Sequence, residues 1–250
     1  EAQAMNEAIS VLLAHKSERS YTDEAVSDAD LATIVEAGRR GPTSINGQQV
    51  SVVVVRDAER RAKIAEIAGG QPWIAKAPVF LAVLIDFHKT AVALRMAGRE
   101  QVIHESVEGT IVGSIDAGIA LGAMMTAARA LGLGTVPIGG IRRDPDAMVA
   151  LLGLPPMTFP VVGMCVGHVA EPAERKPRLP LPAFRFDERY DEAALEPAIA
   201  EYDVELAEHW KKIGRADGLP WSANLAGIYD KVYFPHVKGC AAKQGFKNDK

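Results

Sequence analysis

An α/β-type sandwich is the fold class that this 250-residue sequence predicts, and three observations carry it. Two short runs, Val50-Ser51-Val52-Val53-Val54-Val55 and Pro78 to Ile85, are almost wholly apolar, as buried strands are. Segments with helical periodicity alternate with them. A third stretch, residues 110–134, is apolar around most of a helical circumference and crowded with small residues, so it reads as a helix contacted on several sides. Helices packed on a sheet of about four strands satisfy all three.

In chain order, helical patterning is expected at about 3–14 and again at 27–40, where Ser27-Asp28-Ala29-Asp30 supplies an N-cap and first-turn acids. The Val50–Val55 strand is followed by a charged helix at 57–68, which Gly69-Gly70 ends. The second apolar strand spans 78–85. A long helix at about 108–131 leads through Gly132 and Gly134 to a short strand ending at Ile138. Another helix starts after Asp144-Pro145, since proline in the first turn loses no needed bond. Phe159 to His168 is the last core strand. Beyond it come a proline-punctuated run, Pro172 to Pro182, helical segments near 190–213, and a polar tail expected to be irregular.

Composition narrows the function. The chain is 48% hydrophobic and 24% charged, which suits one large or two small soluble domains. A net charge of −4 without a long basic run argues against nucleic acid and suits a small anionic ligand. Cys165 and Cys240 make neither a disulfide framework nor a metal site, so reduced thiols in the cytoplasm are expected. No secretory signal is visible in Glu-Ala-Gln-Ala-Met-Asn. Residues 110–134 approach membrane-spanning length, but Asp116 and Arg129 interrupt them and no aromatic belt flanks them. Their small residues would let another backbone approach, so this helix is a candidate for sharing between subunits.

Several chemistries fail on motif grounds. Gly132-Leu133-Gly134-Thr135-Val136-Pro137 has proline where a dinucleotide fingerprint needs its third glycine, and it precedes a strand. There is no P-loop, no serine-hydrolase elbow, and no metal spacing among the six histidines. What remains is a set of local clusters. If His15-Lys16-Ser17-Glu18-Arg19 is extended, His15, Ser17 and Arg19 share a face. Lys176 and Arg178 flank a proline that favours extended geometry, and together the two clusters could cradle a phosphate. Two unrelated charged loops is the alternative. Pro137-Ile138-Gly139-Gly140-Ile141-Arg142 follows a strand and lets backbone N–H groups approach a flat ligand, or is an ordinary turn. Gln71, beside Trp73, could pair with a heterocyclic edge or simply turn the chain.

His15 to Asp23, Gly69-Gly70-Gln71, Leu131 to Gly134 with Ile138-Gly139-Gly140, and Lys176-Pro177-Arg178-Leu179-Pro180 together resemble the nitroreductase superfamily. They are most similar to its NADPH-dependent, oxygen-insensitive nitroreductase and flavin reductase P-like branch. The resemblance runs from about residue 6 to 182 and continues weakly through Trp221-Ser222 and Lys243 to Phe246. It implies an α+β fold: a three-layer α-β-α sandwich with a mixed, mainly antiparallel sheet, in an intertwined homodimer. It further implies an FMN-binding core at 1–185 and an extension at 186–250 that packs on the partner subunit and caps the active site.

Carried over position by position, His15, Lys16, Ser17, Lys176 and Arg178 would hold the FMN phosphate and ribityl chain. Arg19 would sit at the flavin N1/O2 edge as the electrostatic catalyst, Thr43 would contact the cofactor, and Gln71 would pair with the ring. Backbone at Pro137, Ile138, Gly139 and Gly140 would face the other edge, and Lys211, Lys212 and Arg215 would meet the 2′-phosphate of NADPH. Three positions depart from the family pattern: Pro137, Pro42-Thr43-Ser44, and Phe234-Pro235 where some relatives have Arg-Pro. The implied activity is FMN-dependent, ping-pong two-electron hydride transfer from NAD(P)H to nitroaromatics, quinones or flavins. Rival readings are a reductase supplying free reduced flavin to a monooxygenase, a non-catalytic flavin-binding regulator, and a helical dimerisation scaffold.

Overall fold

The computed structural model describes residues 6–250, and its organising element is strand β2 (Val79–Asp86), buried along nearly all its length. Its side chains alternate. Phe80, Ala82 and Leu84 enter one apolar cluster, while Val79, Leu81 and Val83 enter another. A strand covered on both faces is apolar at every position, which is why this run is continuous in the sequence. β1 (Val50–Val55) and β4 (Thr158–Gly167) flank β2, and β3 (Gly134–Ile138) lies outside β4. The order is β1-β2-β4-β3, and all described pairs are antiparallel.

Helices cover both faces. α2 (Asp28–Arg39) and α6 (Val107–Ala130) bring Leu31, Ile34, Ala117, Met124 and Ala128 onto the Val79–Leu81–Val83 side. α3 (Ala58–Ile67), α4 (Pro72–Lys76) and α7 (Pro145–Leu152) bring Ile64, Ile74 and Met148 onto the other. The result is the expected α-β-α sandwich. Ser27 caps α2 by accepting a hydrogen bond from Asp30 N at 3.0 Å, as the sequence suggests, and Asp144 caps α7 by accepting from Ala147 N at 3.0 Å. Gly69 and Gly70 close α3 with bonds to Glu66 O (3.0 Å) and Ala65 O (2.8 Å). By length and composition α6 could cross a membrane, yet its face from Gly109 to Ala128 packs inside the protein. Val107, Ile111, Ile115 and Ile119 stand exposed on it at every fourth position.

Some expectations need correction. The first helix, α1, spans Glu7–Leu13; residues 3–5 of the expected one lie outside the described residues. α4 and α5 (Phe87–Met96) were not anticipated. The tail is not irregular: it contains α9 (Trp221–Tyr229) and α10 (His236–Lys243). These short helices carry little periodicity, and α10 gains its order from docking Cys240 into an apolar cluster with Phe87, Phe159 and Phe246.

The chain forms two units, one running to Ala173 and taking in Phe234–Lys250, the other Glu174–Tyr233. In the second, α8 (Leu195–Lys212) and α9 pack Tyr202, Leu206 and Trp210 with Leu179, Ile213 and Trp221. In the first, the residues after α10 are sewn onto the sandwich. Met157 N donates to Gln244 O at 2.7 Å, and Gln244 Nε2 donates to Thr158 O at 3.0 Å. Lys247 and Lys250 both pair with Glu105, next to the buried His104.

That contact carries a pH dependence. Burial pushes the His104 imidazole below its ordinary value of 6.5, while Glu105 opposes the shift. The folded state therefore keeps the ring neutral, and the unfolded chain takes up a proton first as pH falls. Stability is full above about 6.5 and declines below it. Urea midpoints measured from pH 7.5 to about 5.5 are expected to fall for the wild type and to flatten for His104→Gln. An equally steep fall in the variant would assign the loss to other groups.

Candidate functional site

Residues 15–21 run along the outer side of β3 and on past the end of β4. Glu18 N donates to Thr135 O at 2.9 Å, Ala170 N to Ser20 O at 3.0 Å, and Thr22 N to His168 O at 2.9 Å. Glu18 and Tyr21 are the buried side chains of the segment, and the Glu18 carboxylate accepts from Ala173 N at 2.7 Å and pairs with Lys16 at 3.6 Å. With Glu18 turned inward, its odd-numbered neighbours Ser17 and Arg19 take the other side of the strand, and Arg19 is exposed. Arg129, at the end of α6, secures the approach by donating to Ala14 O (2.7 Å) and Lys16 O (3.4 Å). Sequence reasoning took Arg129 only as a break in an apolar stretch. A lone arginine near the end of such a helix was the available signal.

Next to this segment, the turn after β3 meets the start of α4. Gln71 is the N-cap of α4, and its Nε2 donates to Ala68 O at 2.9 Å. A Cβ built on Gly140 would lie 2.5 Å from Gln71 Nε2 and 3.0 Å from Ala68 O. Glycine at 140 is therefore what allows the Gln71 amide to lie against the Ile138–Gly140 backbone. Two clusters 69 residues apart in the sequence (140 − 71) meet here. Pro137 sits within β3, opposite Met164. β3 is an edge of this sheet, where a missing N–H leaves no central ladder bond unmade. Arg142 ends the same turn, donating to Val161 O at the irregularity in the β2–β4 register, with its guanidinium 5.8 Å from the Phe234 ring centre.

Thr43 is placed elsewhere. It precedes β1, at the opposite edge of the sheet, and its hydroxyl accepts from Gln48 N at 3.1 Å. Three strand spacings of about 4.8 Å, roughly 14 Å, separate β1 from β3. Buried Asp116 of α6 holds the loop after it by accepting from Ser44 N at 3.2 Å and from the Gln49 amide. Ile45, Asn46 and Gln48 in that loop all have positive φ, and Ile45 is 97% exposed. A β-branched residue strained and solvated in this way marks the loop as an outward-facing feature.

The remaining cations lie in the second unit. Lys176 Nζ stands 5.2 Å from the Trp210 ring centre, and Arg178 donates to Lys176 O and Pro177 O, each at 3.1 Å. Lys211 and Lys212 are exposed at the end of α8. Lys211 and Arg215, four residues apart, share no helical face, because α8 ends between them. Gly214, at φ 73, turns the chain back, with Gly214 N bonded to Lys211 O (3.2 Å) and Arg215 N to Trp210 O (2.8 Å). The Arg215 guanidinium then lies 4.6 Å from the Trp210 ring centre and pairs with Asp217.

Electrostatics exclude thiol chemistry. Burial pushes Cys165 up to about 12, and burial together with the Asp146 carboxylate does the same for Cys240, so neither is a thiolate near neutrality. Burial also raises the Tyr21 phenol, which stays protonated and donates to Glu18 O at 2.7 Å. No metal-binding cluster of His, Cys, Asp or Glu occurs among the described residues.

Comparison with known proteins gives a consistent outcome. A model described as "Nitroreductase family" matches residues 12–168, and one described as "Nitroreductase family, C-terminal domain" matches 176–249. The chain is 45% identical to a Bacillus subtilis protein named FMN reductase [NAD(P)H], over 98% of this chain and 100% of that one. It is 32% identical to an oxygen-insensitive NADPH nitroreductase of Salmonella typhimurium, covering 97% and 99%. Among solved structures, B. megaterium NfrA2 superposes with a TM-score of 0.96 at 44% identity, covering 98% of this chain and 100% of that one.

Proposed function

Because the chain belongs to the nitroreductase family, we propose that it is an FMN-dependent NAD(P)H oxidoreductase acting on flavins, nitroaromatics or quinones. The observation that carries the reading is the Gln71–Gly140 contact: the space a Cβ at 140 would need is taken by the Gln71 amide and Ala68 O, which sets an amide edge beside the Ile138–Gly140 backbone. A planar heterocycle fits such an edge. FMN, when bound, would supply the two-electron hydride chemistry that links NAD(P)H to an acceptor.

The chain's own residues bind and orient. Gln71 offers both donor and acceptor to a ring edge, and the Pro137–Gly140 backbone lines the ring's other side. Arg19 brings a permanent cation to the N1/O2 edge, where negative charge collects. His15, Lys16 and Ser17 from one unit, and Lys176 and Arg178 from the other, are assigned to the phosphate and ribityl chain on the resemblance alone. No protein nucleophile is needed, in keeping with the two protonated thiols.

A homodimer belongs to the same proposal. Thr43 lies at the wrong sheet edge to serve the cradle of its own chain, so a second copy would deliver it on the strained 43–48 loop. The exposed Val107–Ile119 stripe of α6 would be covered in that dimer. A core at 1–185 and an extension at 186–250 that caps the partner's site belong to the same reading, with Phe234–Lys250 of that extension part of the first unit, as does a cytoplasmic setting. Lys211, Lys212 and Arg215 would favour NADPH over NADH only modestly, because Arg215 is already committed to Trp210 and Asp217.

The purified protein is expected to be yellow and to release FMN on heating. Recovery of FAD, or no flavin uptake on reconstitution, would overturn the assignment. NAD(P)H oxidation with free FMN as sole acceptor then tests the narrower reading, a reductase that exports reduced flavin, which the name of the B. subtilis relative favours. Arg178→Ala is expected to weaken FMN binding about tenfold, the loss of one charge-assisted contact, and to leave turnover of the fully loaded enzyme unchanged. Fluorescence titration of the apoprotein and saturated rates separate the two.

A further inference from the structure

Arg19 is held in an unusual way for an exposed arginine at a reaction site. Its guanidinium carbon lies 5.4 Å from the centre of the Trp73 ring, and no carboxylate pairs with it among the described residues. The nearest acid in sequence, Glu18, is turned inward and occupied by Lys16 and Ala173 N. The two devices that can orient a guanidinium differ electrically. A carboxylate fixes it and cancels its field, whereas an aromatic face fixes it through the ring quadrupole and leaves the charge in place.

Trp73 is itself anchored for this task. It lies in the first turn of α4, two residues beyond the Gln71 cap, its carbonyl accepts from Ala77 N at 2.9 Å, and its ring packs against the core. Its Nε1 is buried without a hydrogen-bond partner. An unsatisfied indole N–H is a standing cost that phenylalanine at this position would avoid. Tryptophan, however, presents the strongest cation-binding face of the aromatic residues.

We infer that Trp73 is a positioning residue: its indole face holds Arg19 beside the Gln71–Gly140 cradle with the positive charge left uncancelled. The inference rests on the flavin reading above, since it concerns what Arg19 does for bound FMN. It acts through the charge of Arg19 and therefore affects how strongly the protein favours the reduced over the oxidised cofactor.

The test is the two-electron midpoint potential of bound FMN, measured by spectroelectrochemistry in wild type, Arg19→Met, Trp73→Leu, Trp73→Phe and Arg19→Met/Trp73→Leu. Arg19→Met is expected to lower the reduced-over-oxidised preference about tenfold, which is about 30 mV. Trp73→Leu should give roughly threefold, about 15 mV, and Trp73→Phe less. In the Arg19→Met background, Trp73→Leu should add nothing. Thermal melts should show each variant folded, so that a shift in potential does not come from a collapsed site. If Arg19→Met leaves the potential unchanged, the role given to Arg19 in the flavin reading fails. If Arg19→Met shifts it but Trp73→Leu does not, or shifts it equally without Arg19, the positioning role fails and the flavin reading stands.

Discussion

Gly140→Val is expected to weaken FMN binding about 100-fold, toward the upper end of what overpacking a close contact costs, while the apoprotein stays folded. The first atom a side chain at 140 would meet is Gln71 Nε2, at 2.5 Å, and the next is the Ala68 carbonyl, at 3.0 Å. The amide can swing away but the carbonyl cannot. Gly140→Ala should therefore act mainly by displacing Gln71, at about a tenfold loss, and should cost little more once Gln71→Ala is present. The branched side chain of valine also presses on the backbone, so its effect should persist in that background. Flavin fluorescence titrations of the apoproteins give all four comparisons. Equal affinity in wild type and Gly140→Val would remove the cradle from the site.

Phe246→Ala is expected to lower global stability by about 3–5 kcal/mol, measured by urea unfolding of the apoprotein. The ring is buried, with its centre 6.2 Å from that of Phe87 and 6.3 Å from that of Phe159. Neighbours on β4 and α5 are held in the sandwich and cannot collapse into the space. An unchanged midpoint with unchanged denaturant dependence would mean that residues after α10 are appended to the core rather than part of it.

The sequence made plain whatever depended on short-range physics. β2 was legible because burial on two faces leaves a run with no polar phase, and α6 because only a helix needs so long an apolar stretch. The cap at Ser27, the helix start at Asp144-Pro145 and the stop at Gly69-Gly70 follow from local backbone needs and appeared where expected. At the site, the extended run at 15–19 was readable, but burial along 15–21 does not split by parity: Glu18 and Tyr21 are both buried. The pairing of Gln71 with Gly140 was not, because it depends on α4 packing beside the turn after β3. Arg215, which the resemblance grouped with Lys211 and Lys212, lies beyond the helix that carries them, because Gly214 at positive φ follows its end. α9 and α10 have too little periodicity to announce themselves, and their order comes from the surfaces they dock against.

The return of the chain at Phe234 sets a schedule for synthesis. Gln244 bonds to Thr158 across 86 residues, so the aromatic pocket beside β4 has all its other walls before its last occupant exists. At about 5–20 residues per second, a ribosome needs roughly 4–17 s to cover that distance. Throughout that interval Phe87 and Phe159 face solvent in a nascent chain whose sheet can already pair. The second unit is made in the meantime and depends only on contacts within itself. Cells making this protein therefore hold a half-closed sandwich for seconds at a time, a natural client for holdase chaperones. A nonsense codon between Tyr233 and Phe246 would leave the chain without the ring that closes the pocket.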